Sequence, residues 1–97
     1  MKKNIENIKD IISEKKDILE RKYKIIKIGF FGSYVRGDET DESDIDIIVE
    51  LSESLGLEFV HLNDYLSEIL DLKVDLVTLD SIKSNRIPYI TKDIMYV

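Results

Sequence analysis

Apolar positions along the chain change period several times, and each change marks an element. Over residues 4–22, Ile5, Ile8, Ile12 and Leu19 recur near the spacing of one helical face, with Ile11 and Ile18 beside them. That pattern predicts an amphipathic helix, because residues three and four apart stack on one side of an α-helix. Residues 24–31 are rich in isoleucine and phenylalanine and predict a strand. Gly32 ends it, a short turn or helix from Ser33 to Arg36 follows, Gly37 closes that turn, and residues 38–43 are polar loop. Residues 44–50 predict a second strand with Ile45, Ile47 and Val49 on one face. Residues 55–71 predict a second long helix whose buried stripe is Phe59, Leu62, Leu66 and Ile69, and residues 73–78 a third strand. Residues 81–92 could form another helix, although Pro88 argues for a break or a new start, and residues 94–97 could be a last short strand. The order implies an α/β (α+β) fold, a small mixed β-sheet with helices packed on it. A single domain over residues 1–97 is expected, with room for one core and one site.

Composition narrows the chemistry. The chain has no cysteine and one histidine, His61, so thiolate and multi-histidine metal sites are excluded. Any resident metal must be held mainly by oxygen, which points to Mg²⁺, Mn²⁺ or Ca²⁺. The net charge is −6, and the lysines of the first 27 residues are interleaved with acids on a helix. This reads as a solvated face and not as a footprint for long nucleic acid. The N-terminal residues lack a signal-peptide apolar run, and no stretch approaches the ~18 apolar residues of a membrane span. A cytoplasmic protein is expected.

Against that background, three aspartates on strands stand out, since aspartate fits a pleated, half-buried surface poorly. Asp44 and Asp46 are two apart and project from one face, and Asp75 lies between Val74 and Leu76 on another strand. If the strands are neighbours, three carboxylates converge. Two of them 4 Å apart would repel by roughly 4 kcal/mol at an effective dielectric of 20. Protonation of one member or a bound divalent cation would relieve this, and a pair of such ions could clamp the attacking and leaving oxygens of a displacement at phosphorus. The plain alternative is three strand-end acids facing water. Gly32-Ser33 follows the first strand directly, where a glycine lets the backbone approach a ligand and a hydroxyl with turn N–H groups suits phosphate.

The whole run reads Gly32-Ser33-Tyr34-Val35-Arg36-Gly37, six loop residues, then Asp44-Ile45-Asp46, with ten residues between Ser33 and Asp44. It resembles the Gly-Ser, ten-residue spacer, Asp-x-Asp signature of the polymerase-beta-like nucleotidyltransferase superfamily. Within it the chain is similar to the minimal nucleotidyltransferases, including the MntA-like antitoxins, with Val35 in place of a common alanine. The third aspartate of Val74-Asp75-Leu76-Val77 also matches. The resemblance implies the nucleotidyltransferase fold, with Asp44, Asp46 and Asp75 as catalytic and metal-binding residues for Mg²⁺, two ions or Mn²⁺ in its place. Gly32 and Ser33 would hold the triphosphate of ATP. It implies, further, a protein adenylyltransferase antitoxin that moves AMP from ATP to a tyrosine of a HEPN-family toxin. A small hydroxylated acceptor completed by a separate helical subunit, or a non-catalytic antitoxin acting by steric cover, are the alternatives.

Other residues carry weaker signals. Arg36 could reach phosphate or pair with an acid of the following loop. Tyr34 could lie beside the nucleotide or pack inward. The loop acids Asp38, Glu39, Asp41 and Glu42 lack the glycine and terminal glutamate of a calcium loop and read as solvated. His61 falls near the polar side of its helix, where nothing is spaced to orient it for catalysis.

Overall fold

The computed structural model describes residues 4–40, 43–82 and 94–97. The first helical stretch is two helices, α1 (Ile5–Glu14) and α2 (Lys16–Tyr23), and not one. Asn4 caps α1 through a reciprocal capping box with Asn7. The break falls at Lys15, whose N–H donates to the Ile12 carbonyl in a tightened turn. Between the buried Ile12 and Leu19 no residue is fully buried, so no core contact holds this stretch to one straight axis. Bent there, α1 packs on the later helix of residues 58–70, while α2 also reaches the first strand.

Lys24 ends α2 in the left-handed region, with φ +57°, and turns the chain into β1 (Ile25–Phe31). A side chain in that region costs about 1 kcal/mol that glycine avoids. Lys24→Gly is therefore expected to stabilise the fold by about 0.5–1 kcal/mol, read as a higher denaturant midpoint at unchanged slope; an unchanged or lower midpoint would count against that strain.

After β1 come α3 (Ser33–Arg36), β2 (Ile45–Leu51), α4 (Glu58–Leu70), β3 (Val74–Thr78), α5 (Leu79–Ile82) and β4 (Met95–Tyr96). The sequence expectations agree to within a few residues, with α4 shorter at its start. Helix α5 begins two residues before the expected 81 because Thr78 accepts the Ser81 N–H on Oγ1. The rest of the expected 81–92 helix, with Pro88, lies outside the described residues. No described helix is long and apolar enough to cross a membrane.

The sheet order is β3-β2-β1-β4, with β1 antiparallel to both β2 and β4 and β2 parallel to β3. It is the mixed sheet with helices that the apolar pattern implied. One face is covered. Ile28, Phe30, Ile45, Ile47, Val49, Val74 and Leu76 from the strands meet Ile8, Ile12, Leu19 and Tyr23 of α1 and α2 and Leu62, Leu66 and Leu70 of α4. Leu70, not Ile69, completes the buried stripe of α4; Ile69 and Phe59 are half-buried. Each of these large side chains contributes on the order of 1.5–3 kcal/mol by leaving water. Three of them, Ile45, Ile47 and Val49, fix which way β2 faces, so its even-numbered residues must point to the other side.

Candidate active site

The face opposite the helices carries the acids. Asp44 immediately precedes β2, Asp46 is its second residue, and both are half-buried while Ile45 between them is fully buried. On β3, Asp75 is exposed between the buried Val74 and Leu76. Parallel pairing sets Asp46 directly against Asp75 in register. The strands are therefore neighbours, and the condition that the sequence left open is met. Asp46 Cα is also paired with Phe31, the last residue of β1, which leads straight into Gly32.

Gly32 makes room for Asp46. Its φ is +79° and ψ −152°, a region open essentially to glycine alone. A Cβ built there would collide with Asp46 Oδ2. The absent side chain is thus the space in which the Asp46 carboxylate lies. Ser33, half-buried, opens α3, and the Gly32 carbonyl accepts the N–H groups of Val35 and Arg36. Gly37 ends this single turn at φ +82°.

The electrostatics follow from this packing. Asp46 titrates at about 6, raised first by its burial, then by the Asp75 charge and a hydrogen bond with the Asp75 side chain, and by the Asp44 charge; the Arg36 charge opposes the rise. The carboxylates of Asp46 and Asp75 are thus in contact, with Asp44 and Arg36 in electrostatic reach. They are not drawn into a finished cage: among the described residues no three His, Cys, Asp or Glu side chains are arranged as a ligand set. The donors that do meet are all carboxylate oxygens, which fits a hard divalent cation and no soft one. A cation would also offset the repulsion that raises Asp46.

This shift gives a stability signature. The folded value of about 6 lies above the unfolded value of 3.8, so the folded state holds the proton more tightly. The stability gained this way is complete below pH 3.8 and is lost as pH rises through about 6. Without divalent metal, Asp46→Asn is expected to exceed wild type in stability by about 1–2 kcal/mol at pH 7.5, after allowance for solvent screening, and to lose that advantage by pH 4. Urea unfolding at both pH values reads it; a constant difference would remove the coupled titration.

The remaining residues sort cleanly. Arg36 Nε donates to Asp38 Oδ2 at 3.3 Å with both side chains exposed, so the loop-acid pairing is present, alongside its influence on Asp46. Tyr34 packs inward and is buried. Asp38 is exposed, while Asp41 and Glu42 lie outside the described residues. His61 is exposed on α4, as expected, but its Nδ1 lies 3.2 Å from Glu58 Oε1, so an acid one helical turn before it does orient the ring. A cleft of about 340 Å³, lined by Val49, Leu51, Ser52, Glu53, Thr78 and Asp80 among others, opens at the C-terminal ends of β2 and β3. It sits at the opposite end of these parallel strands from the aspartates and does not belong to their site.

Paired acids on the sheet face away from α1, α2 and α4, beside a strand-to-helix Gly-Ser turn, are the arrangement that the resemblance implied. The chain belongs to the nucleotidyltransferase domain family, which matches residues 12–96. A Methanocaldococcus jannaschii protein provisionally named a protein adenylyltransferase is 49% identical over 100 residues, spanning 98% of this chain and 99% of that one. The protein adenylyltransferase MntA of Thermococcus cleftensis is 38% identical over 94 residues, covering 96% and 95%. Among solved structures, a chain in the complex of a tri-AMPylated Shewanella oneidensis HEPN toxin with an MNT antitoxin superposes with a TM-score of 0.65. It is 28% identical, over 93% of this chain and 67% of that one. The chain is therefore a nucleotidyltransferase of minimal type.

Proposed function

We propose that this nucleotidyltransferase is a protein adenylyltransferase antitoxin that moves AMP from ATP to a tyrosine hydroxyl of a HEPN-family toxin. The observation that carries the reading is the in-register pairing of Asp46 with Asp75, with Asp44 two residues before and Gly32 packed on the Asp46 carboxylate. The relatives named for protein adenylylation, and the AMPylated toxin held beside an MNT antitoxin, support the choice of acceptor.

Asp44, Asp46 and Asp75 would hold Mg²⁺, as two ions, with Mn²⁺ able to replace it. Bound there, the metal supplies charge neutralisation for the triphosphate and lowers the pKa of the incoming hydroxyl. Gly32 and Ser33 would hold the triphosphate so that its α-phosphorus faces the acids, and Arg36 stands close enough to add positive charge. The hydroxyl oxygen forms a bond to the α-phosphorus as the bond to the pyrophosphate oxygen breaks. Asp75, the most exposed of the three, is open to an acceptor arriving from outside and is the group suited to take its proton. A phenol with a pKa near 10 needs such help at neutral pH. Use of ATP fits a cytoplasmic protein.

The test is incubation of the purified chain with ATP, Mg²⁺ and a HEPN-family toxin, followed by intact mass and peptide mapping. AMP adducts on a toxin tyrosine, absent without Mg²⁺, are the expected result. An unmodified toxin whose activity is nonetheless silenced equally by Asp44→Asn/Asp46→Asn would replace this reading with steric cover. Transfer to small hydroxylated molecules alone would change the acceptor class.

A further inference from the structure

Asp44 differs from the other two aspartates in what holds it. Asp46 and Asp75 stand in register on paired strands. Asp44 comes one residue before β2, and it is the next residue that enters the sheet, with the Ile45 N–H donating to the Lys73 carbonyl at 3.0 Å. Among the described residues, the Asp44 side chain makes no hydrogen bond. One flank of Asp44 is therefore fixed by the sheet and the other by the contacts of Ser43. Those contacts are two-way. The Ser43 N–H donates to the Thr40 carbonyl at 3.1 Å, and Ser43 Oγ accepts the Thr40 N–H at 2.8 Å. The two hydroxyls lie 3.3 Å apart. Further back, the N–H groups of Gly37 and Asp38 both donate to the Ser33 carbonyl, at 2.9 and 3.1 Å. The stretch between the Gly-Ser turn and the acids is thus tied at each end, first to Ser33 and then immediately before Asp44.

We propose that Ser43 is a positioning residue for Asp44: its hydroxyl closes the clasp on Thr40 and so sets the backbone from which the Asp44 carboxylate reaches the metal. The inference rests on the reading of Asp44 as a metal ligand. A ligating carboxylate is usually aimed by groups that hydrogen-bond to it. Asp44 has no such partner among the described residues, so its direction comes from the backbone on either side. The bond from the Ser43 N–H to the Thr40 carbonyl survives any side chain at position 43 except proline. The bond at 2.8 Å needs a side-chain acceptor there, and a serine hydroxyl supplies it. Without it the Thr40 N–H returns to water, and the turn that leads into Asp44 keeps one tie instead of two.

If order in this turn is what places Asp44, loss of one neutral hydrogen bond weakens metal-nucleotide binding by about 2- to 12-fold. The experiment measures equilibrium binding of the Mn²⁺ complex of AMP-PNP to the full chain and to Ser43→Ala, Ser43→Thr and Asp44→Asn. Hydrogen exchange of the Thr40 amide is followed beside it in the same chains without metal. Ser43→Ala is expected to weaken binding by a factor in that range and to speed Thr40 exchange. Ser43→Thr keeps the hydroxyl and is expected to match wild type in both. Faster exchange in Ser43→Ala with unchanged binding means that the clasp serves the loop alone, and overturns the proposal. Unchanged exchange in Ser43→Ala overturns it too, since the clasp is then absent. Either result leaves the metal reading standing if Asp44→Asn still weakens binding. An Asp44→Asn chain that binds as tightly as wild type removes Asp44 from the metal site and overturns both.

Discussion

Asp46→Asn is expected to reduce adenylyl transfer by about a thousandfold or more while leaving the chain folded and, near neutral pH, more stable. The activity loss follows from the position of this carboxylate, between Asp75 in register on β3 and Asp44 two residues before it. A metal clamp that neutralises a triphosphate contributes several kcal/mol to the transition state, and about 4 kcal/mol corresponds to a factor of a thousand. The stability gain follows from the same neighbours, since ionised Asp46 is held against burial and like charge. Opposite signs in the two measurements are what a functional acid cluster produces. If the three aspartates were only water-facing strand residues, the substitution would change neither by much. Steady-state transfer assays and urea melts on one preparation check it; an active Asp46→Asn enzyme would remove the acids from the chemistry.

Gly32→Ala is expected to lose both activity and stability, and so to differ in kind from Asp46→Asn. An alanine there must adopt φ +79°, ψ −152°, at a cost on the order of 1–3 kcal/mol, and its methyl must displace the Asp46 carboxylate. On the proposed role of Asp46, displacement of its carboxylate by about 1 Å is enough for roughly a hundredfold loss in rate. The loss of stability should shrink in the double variant Gly32→Ala/Asp46→Gly, where no carboxylate meets the methyl, although the backbone strain remains. A double-mutant cycle in denaturant reads this coupling directly. Additive effects would mean that the glycine serves the turn alone.

Much of this was legible along the chain because it depends on local period. Alternation at Ile45, Ile47 and Val49 decides that Asp44 and Asp46 share the opposite face, whatever the rest of the sheet does. The position of Gly32 at the end of β1 and of Gly37 after one helical turn is likewise local, and the family's motif sits on these same residues. The break at Lys15 and the choice of Leu70 over Ile69 on α4 were not legible. Each depends on which partner surface a helix meets, and several nearby residues fit the same helical stripe.

What the sequence by itself determined, then, is a set of faces: which side of each strand is apolar, which is acidic, and where the backbone must be glycine. Only the tertiary structure decided who lies next to whom. The order β3-β2-β1-β4 brings Asp75 against Asp46, sets Asp46 Oδ2 in the space beside Gly32 and lays Tyr96 over Gly29. Pairing between strands is set by burial of the whole sheet against the helices, and a shift by a single residue would have turned Asp75 into the core. No local pattern encodes that choice, because its energy is spread over the apolar side chains of every element at once.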